Sequence, residues 1–288
     1  MLRVALATYE SAPELAPDDK PLVQALARIG IHAEPAVWSD ASIPWELFSA
    51  IVIRSCWDYH LRVAEFFSWL DRLETSDVRV WNPPPLVRWN ADKRYLLDLA
   101  RRGVPTIPTM IALRGRPRDV EAIVQAEGWR RVVVKPAISA SGYETHSLTS
   151  PFDDAARDTI ARVAELSHVL VQPFVEEIAR DGELSFTFID GRFSHAALKR
   201  ARSGEFRVQT EHGGSVEHTA VGSDLIEQAA RALGAVDELP LYARVDGVVR
   251  DGALLLMELE LIEPNVFLSA RTGAVDDLAE AIRTRLGA

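Results

Sequence analysis

Apolar residues recur along the chain in two rhythms. The runs 2–7, 31–38, 50–54, 131–134 and 169–172 are short and apolar, several of them rich in β-branched side chains, which predicts strands. Stretches with apolar residues three and four apart, at 21–29, 61–74, 92–102, 118–127, 152–166, 225–233 and 275–286, predict helices. Gly30 and Gly103 stand where two of these should stop, and Asn90-Ala91-Asp92 where the third should be capped. Strand, helix, strand and strand within the first 54 residues predict a small open α/β sheet. Segment 79–90, with three consecutive prolines, predicts a short strand and a stiff linker, hence a first domain over residues 1–85 and a second over 86–288.

The run 242–267 is the most informative. It predicts a strand ending in Asp246, a tight turn at Asp251-Gly252, and a second strand carrying Glu258 and Glu260. Side chains alternate along a strand, so Glu258 and Glu260 share one face while Leu259 and Leu261 take the other. The antiparallel return brings Asp246 onto the carboxylate face. Three carboxylates so placed suit a hard divalent cation, Mg²⁺ above all. Spacing alone describes a hairpin with a wet acidic face equally well.

Composition narrows the choice. A chain of 288 residues, 48% of them hydrophobic, buries a sizeable core, and a net charge of −10 argues against nucleic acid or an anionic membrane as the main partner. No run of eighteen apolar residues and no cleavable leader pattern occur, so a cytoplasmic protein is expected. Cys56, the single cysteine, reads as a small buried hydrophobe. Of 32 basic residues only Lys20, Lys93, Lys135 and Lys199 are lysines. Lys93 falls in the first turn of a predicted helix, against the dipole, where an anionic ligand accounts for it better than helix stability does. Lys135 ends an apolar strand and precedes a loop of small residues that includes Ser141 and Gly142; charge and backbone amides there suit phosphates. A solvated lysine and a snorkelling one remain the alternatives.

Two more segments carry chemistry. Arg54, Trp57, Asp58 and Tyr59 follow the third strand, where open α/β sheets collect ligands, although an aromatic cluster packing helix 61–74 fits as well. Segment 169–177 turns from apolar to polar, which suits a flat aromatic base. The predicted hairpin 184–198 ends in Lys199-Arg200, and Arg202, Arg207 and His212-Gly213-Gly214 extend its basic character towards the acidic hairpin. Converging positive and negative groups are expected of a metal-nucleotide site. No zinc spacing, serine elbow or Walker-type phosphate loop is present.

In their order and spacing, Lys93, Lys135 in Val-Val-Val-Lys-Pro, the segment 172–175, Arg244-Val245-Asp246 and Glu258-Leu259-Glu260 resemble the ATP-grasp superfamily over roughly residues 86–270. The resemblance implies an α/β (α+β) ATP-grasp fold: an N-terminal open α/β domain, a lid subdomain at about 104–172 and a central antiparallel-sheet domain. It further implies that Lys93 and Lys135, with Ser141 and Gly142, contact ATP phosphates. Gln172, Phe174 and Val175 would flank adenine, Glu183 would meet the ribose, and Asp246, Glu258 and Glu260 would ligate Mg²⁺. The family commonly has asparagine where Glu260 stands, and a more glycine-rich phosphate loop. Arg54-Ser55-x-Trp57-Asp58-Tyr59 and the run 257–265 look most like the O-ureido-serine cyclo-ligases of the cycloserine pathway type, and the stretch 200–214 resembles glutathione synthetase-type enzymes.

The implied reaction is activation of a small amino-acid-like carboxylate as an acyl phosphate, attack by an amine within the same molecule or from a second one, and release of ADP and phosphate. Lys199, Arg200, Arg207 and Arg244 would neutralise the developing charge, and Glu263 and Asn265 would face the substrate. A glutathione synthetase-like peptide ligase and an ATP-binding regulatory protein without chemistry are the other readings, and analogy allows a homodimer. No general base stands out.

Overall fold

The computed structural model describes residues 2–209 and 212–287. Strands β1 (Arg3–Thr8), β2 (His32–Val37), β3 (Ala50–Ser55) and β4 (Arg79–Trp81) form a parallel sheet in the order β2-β1-β3-β4. Both faces are covered, which is why β1 and β3 read as unbroken apolar runs. Val4, Leu6 and Val52 pack with Leu22 and Leu26 of helix α1 (Lys20–Arg28), and Ala5, Ala7, Ile51 and Ile53 with Phe66, Trp69 and Leu70 of α2 (Val63–Glu74). Leu278 and Ile282 of the C-terminal helix α9 (Ala274–Leu286) join the first of these cores, so the end of the chain returns to its beginning.

Two antiparallel sheets follow. Strands β5 (Met110–Ala112), β6 (Arg131–Pro136), β7 (His146–Thr149) and β8 (Val169–Pro173) are arranged β5-β8-β6-β7. They pack on α5 (Pro117–Ala126) and α6 (Asp154–Leu166) through Val120, Val124, Ile160 and Val163. Strands β9 (Glu183–Ile189), β10 (Arg192–Arg200), β11 (Ser215–Thr219), β12 (Tyr242–Arg250) and β13 (Ala253–Glu260) are arranged β11-β10-β9-β12-β13. Helix α8 (Ser223–Gly234) covers one face of this last sheet through Ala229, Ala232 and Leu233. Asp251 and Gly252 turn β12 into β13 with φ of 52° and 78°, the left-handed pair that a two-residue hairpin needs.

Four local expectations are corrected. The proline run does not make a linker: it starts helix α3 (Pro84–Ala91), where a proline in the first turn gives up no hydrogen bond. Asn90 therefore caps nothing and lies inside α3, and Lys93 sits in the break before α4 (Tyr95–Arg101), because Asp92 is extended. Segment 176–180 leaves the strand direction for a short helix, α7 (Glu176–Arg180). Strand β12 also runs through Asp246 to Arg250, which places Asp246 in mid-strand beside β9. Among the described residues no helix is long and apolar enough to cross a membrane.

Candidate active site

The sheets enclose a cavity of about 630 Å³. One wall is β13 and its continuation, which present Met257, Glu258, Glu260, Glu263 and Asn265 in succession. Across the hairpin, Asp246 stands opposite Glu258 and Arg244 opposite Glu260, with a bulge after Asp246. The acidic face predicted from spacing therefore exists; Asp246 is buried, and Glu258 and Glu260 are half-buried in the cavity wall.

Cations from other elements occupy that face. Arg244 donates from Nε to Asp246 Oδ1 at 2.9 Å and from Nη2 to Oδ2 at 2.8 Å, and also reaches Glu260. Lys199, on β10, bonds Asp246 Oδ2 at 2.8 Å and pairs with Glu183, while the Ser185 hydroxyl donates to Asp246 Oδ1 at 2.7 Å. Burial alone would raise the Asp246 carboxyl, but Arg244 and Lys199 outweigh it and hold the group below its usual range. Glu183 goes the other way, because burial exceeds the pull of Lys199. Burial also pushes Glu260 up to about 7; Arg244 opposes the shift, and Asp246 and Glu258 add to it.

Lys93 lies in the same cavity, only 7% exposed, with Nζ 2.7 Å from Glu258 and donating to the Ser139 carbonyl at 2.6 Å. Lys135 also lines the cavity, its ammonium lowered by burial against the attraction of Glu258. Three of the four lysines thus share one site. Ser141 and Gly142 edge it with φ of 51° and 69°, and a Cβ on Gly142 would meet His212 at 3.2 Å and Arg207 at 3.3 Å, so a close approach as well as the turn requires glycine. Gln172 donates to Thr109 Oγ1 at 2.9 Å. Phe174, under the Arg131 guanidinium at 3.4 Å, and Val175 supply flat and apolar surface at the other side.

Some expected residues are elsewhere. Arg200 alternates with Lys199 on β10, so it points away from the cavity and pairs with Glu217 in solvent. Arg207 lines the cavity, clamped by Glu205 at 2.7 Å. Trp57 and Tyr59 are in the wall, but Arg54 and Asp58 are not. Arg54 is fully buried behind it, 3.0 Å from Asp19 and over the Tyr242 ring at 4.5 Å. Asp58 accepts from the indole of Trp38 at 2.8 Å, so it serves the aromatic cluster. Cys56 is buried and its thiol is pushed up by that burial, in keeping with a packing role. Asp18 and Ser269, which sequence patterns did not single out, also line the cavity; Asp18 accepts the amides of Leu268 at 2.6 Å and Ser269 at 2.9 Å. The signal for Asp18 was its place in the first strand-to-helix connection of an open α/β sheet.

The donor set decides what metal the site suits. Among the described residues no three His, Cys, Asp or Glu side chains form a metal-holding group. All three carboxylates are engaged by cations of the chain itself: Asp246 by Arg244 and Lys199, Glu258 by Lys93 and Glu260 by Arg244. Carboxylates in a cavity that also holds three lysines fit a hard cation whose remaining ligands come from phosphate and water.

Residues 4–82 match the family of the D-cycloserine synthetase DcsG N-terminal domain, and residues 92–281 match the RimK-like ATP-grasp domain. The chain is 36% identical over 286 residues to the cycloserine biosynthesis protein DcsG of Streptomyces lavendulae, covering 93% of this chain and 94% of that one. A probable alpha-L-glutamate ligase of Hydrogenovibrio crunogenus is 30% identical over 170 residues, 57% of this chain and 53% of its own. The crystal structure of D-cycloserine synthetase DcsG superposes with a TM-score of 0.90 at 34% identity, over 99% of both chains. D-alanine–D-alanine ligase from Bacillus anthracis, at 15% identity and a TM-score of 0.70 over 99% of both, shares the fold. A cavity that sets lysines against carboxylates, on a chain matched in both its parts, identifies this protein as a member of the ATP-grasp ligase family.

Proposed function

We propose that this ligase uses ATP to activate the carboxylate of an amino acid of the O-ureido-serine type as an acyl phosphate, and that a nitrogen of the same molecule then displaces phosphate and closes a ring. The observation that carries the reading is one continuous cavity. Lys93 and Lys135 line it together with Trp57, Tyr59 and Glu263 from the segments that resemble the cyclo-ligases. Similarity to DcsG across both parts of the chain supports the ring-closing version over an intermolecular one.

The residues divide the work. Lys93 and Lys135 hold phosphate oxygens. Gln172, Phe174 and Val175 receive the adenine, and Glu183 the ribose. Asp246, Glu258 and Glu260 would hold Mg²⁺, which when bound would supply charge neutralisation to the transferring phosphoryl group. Arg244, fixed by Asp246 and by the Asn265 carbonyl at 2.8 Å, faces the acyl centre and stabilises oxyanion charge there. Lys199 holds Asp246 and Glu183 in place. The test is product analysis: purified protein with Mg²⁺, ATP and O-ureido-serine should release ADP and phosphate. Formation of AMP and pyrophosphate would overturn the acyl-phosphate reading.

A further inference from the structure

Nearly every carboxylate on the cavity wall has a partner. Lys199 and Arg244 hold Asp246, Lys199 holds Glu183, Lys93 holds Glu258 and Arg244 holds Glu260, while two backbone amides hold Asp18. Glu263 is different. It lines the cavity, yet among the described residues its carboxylate makes no hydrogen bond or ion pair to another residue.

Its backbone, by contrast, is held at every step. Five consecutive carbonyls, from Ile262 to Val266, each accept a hydrogen bond from a side chain distant in sequence. Tyr242 Oη donates to Ile262 at 2.8 Å, Trp57 Nε1 to Glu263 at 3.0 Å and Arg54 Nη2 to Pro264 at 3.0 Å. Arg244 Nη1 donates to Asn265 at 2.8 Å, and Thr187 Oγ1 to Val266 at 3.0 Å. A carboxyl side chain without a partner, on a backbone fixed this thoroughly and facing a cavity, is preorganised for a ligand.

We propose that Glu263 is the proton acceptor for the attacking nitrogen of the substrate, an assignment that rests on the ligase reading above. A ureido nitrogen shares its lone pair with its carbonyl, so it becomes an effective nucleophile only as its proton leaves. In the step assigned here the nitrogen forms a bond to the acyl carbon, and the bond from that carbon to the phosphate oxygen breaks. Phosphate departs with the bonding electrons, and the N–H proton passes to the Glu263 carboxylate and on to solvent. The other wall carboxylates are already engaged by lysine, arginine or backbone amides. Trp57 and Arg54 are positioning residues in this scheme: they hold the Glu263–Pro264 backbone and do not need to touch the substrate.

The experiment separates the two half-reactions in Glu263→Gln, with O-ureido-serine and Mg²⁺-ATP as probes. Single-turnover mixing follows ADP and ring product, and added hydroxylamine, which attacks acyl phosphates without a base, reports the activated carboxylate as a hydroxamate. The expected result is first-turnover ADP and hydroxamate within a factor of about three of the wild type, with ring closure slowed by about 100-fold or more. Glu263→Asp, which retains a carboxylate, should recover part of the ring-closing rate and carries the test if the glutamine variant does not fold. Ring closure at the wild-type rate in Glu263→Gln would overturn the assignment. So would loss of first-turnover ADP in both variants while ATP still raises their melting temperatures, because Glu263 would then act in phosphoryl transfer. A wild-type protein inert towards O-ureido-serine would overturn the functional reading itself, and the assignment with it.

Discussion

The indole nitrogen of Trp57 donates a hydrogen bond of 3.0 Å to the carbonyl oxygen of Glu263, across 206 positions of sequence. An aromatic residue just beyond β3 thereby fixes the backbone of the wall segment that continues β13, the last strand of the central sheet. Trp57→Phe keeps a ring beside Tyr9, whose centroid is 6.0 Å away, and removes only the donor. Leaving such a carbonyl without its donor costs about 1–3 kcal/mol. The expected outcome is a rise of about tenfold in KM for O-ureido-serine, equivalent to about 1.4 kcal/mol, with KM for ATP unchanged. Steady-state ADP release, with each substrate varied in turn, checks it.

Arg54 acts on the same wall from complete burial. Its guanidinium bonds Asp19 through Nε at 3.1 Å and Nη2 at 3.0 Å, and Asp19 also accepts the Ser55 hydroxyl at 2.8 Å. Arg54→Met would leave the Asp19 carboxylate buried without its cation, and breaking a buried pair in this way costs about 3–5 kcal/mol. Urea unfolding should show that loss, and the double variant Arg54→Met/Asp19→Leu should recover more than half of it. Equal stability of the single and double variants would show that the pair is not the source.

The two residues show where sequence stops being informative. Both lie just beyond or at the end of β3, and that much was legible, because strand order and the apolar run were clear. Which of them meets the cavity was not, because β3 is covered on both faces and a buried arginine there breaks the expected pattern of polar groups facing water. Lys199 and Arg200 were separable only once strand alternation was applied to an observed register. The Asp246 carboxylate depends on Lys199, 47 positions earlier, a contact made by the β9-β10-β12 arrangement and carried by no local motif. The hairpin itself was readable, since Asp251-Gly252 dictates its turn and the turn dictates which residues oppose one another. The break at Lys93 was hidden because α3 and α4 are both apolar on the side that packs, so one extended residue between them leaves the periodicity nearly intact.

Acidity should stabilise the ligand-free protein over part of the pH range. Burial, with Glu260 adding to it, pushes the Glu263 carboxyl up to about 8, and Glu260 itself reaches about 7, both from 4.5. Below pH 4.5 these two groups are protonated in folded and unfolded chains alike and contribute no difference. Between 4.5 and 8 the unfolded chain releases protons that the folded chain retains, so stability falls as pH rises through that window. The fall is at most about 1.4 kcal/mol per pH unit for each such proton. Asp246 and Glu258, both lowered, act in the opposite sense at the acid end and lose their contribution there. Melting temperatures should therefore drop from about pH 5 to about pH 8, and Glu263→Gln should flatten the drop. An equally steep fall in that variant would remove Glu263 as its cause.

Arg244 and Lys135 should separate chemistry from nucleotide binding. Arg244 bonds Asp246, Glu260 and the Asn265 carbonyl, while Lys199 continues to hold Asp246 when the arginine is removed. Lys93 and Lys135 are not among its partners. Arg244→Ala should consequently keep its ATP-dependent rise in melting temperature while losing turnover by about 100-fold or more, the scale expected for removing a donor to a developing oxyanion. Lys135→Ala should lose the rise itself. Wild-type protein with ATP at a hundred times its Kd gains about 2.7 kcal/mol from binding, which makes the difference between the two variants measurable by thermal melting with and without nucleotide. Each variant is compared with itself, because removal of Arg244 also leaves Glu260 without its cation and lowers the starting stability. A loss of the ATP-dependent rise in Arg244→Ala, with Lys135→Ala unaffected, would reverse the assignment of the two residues.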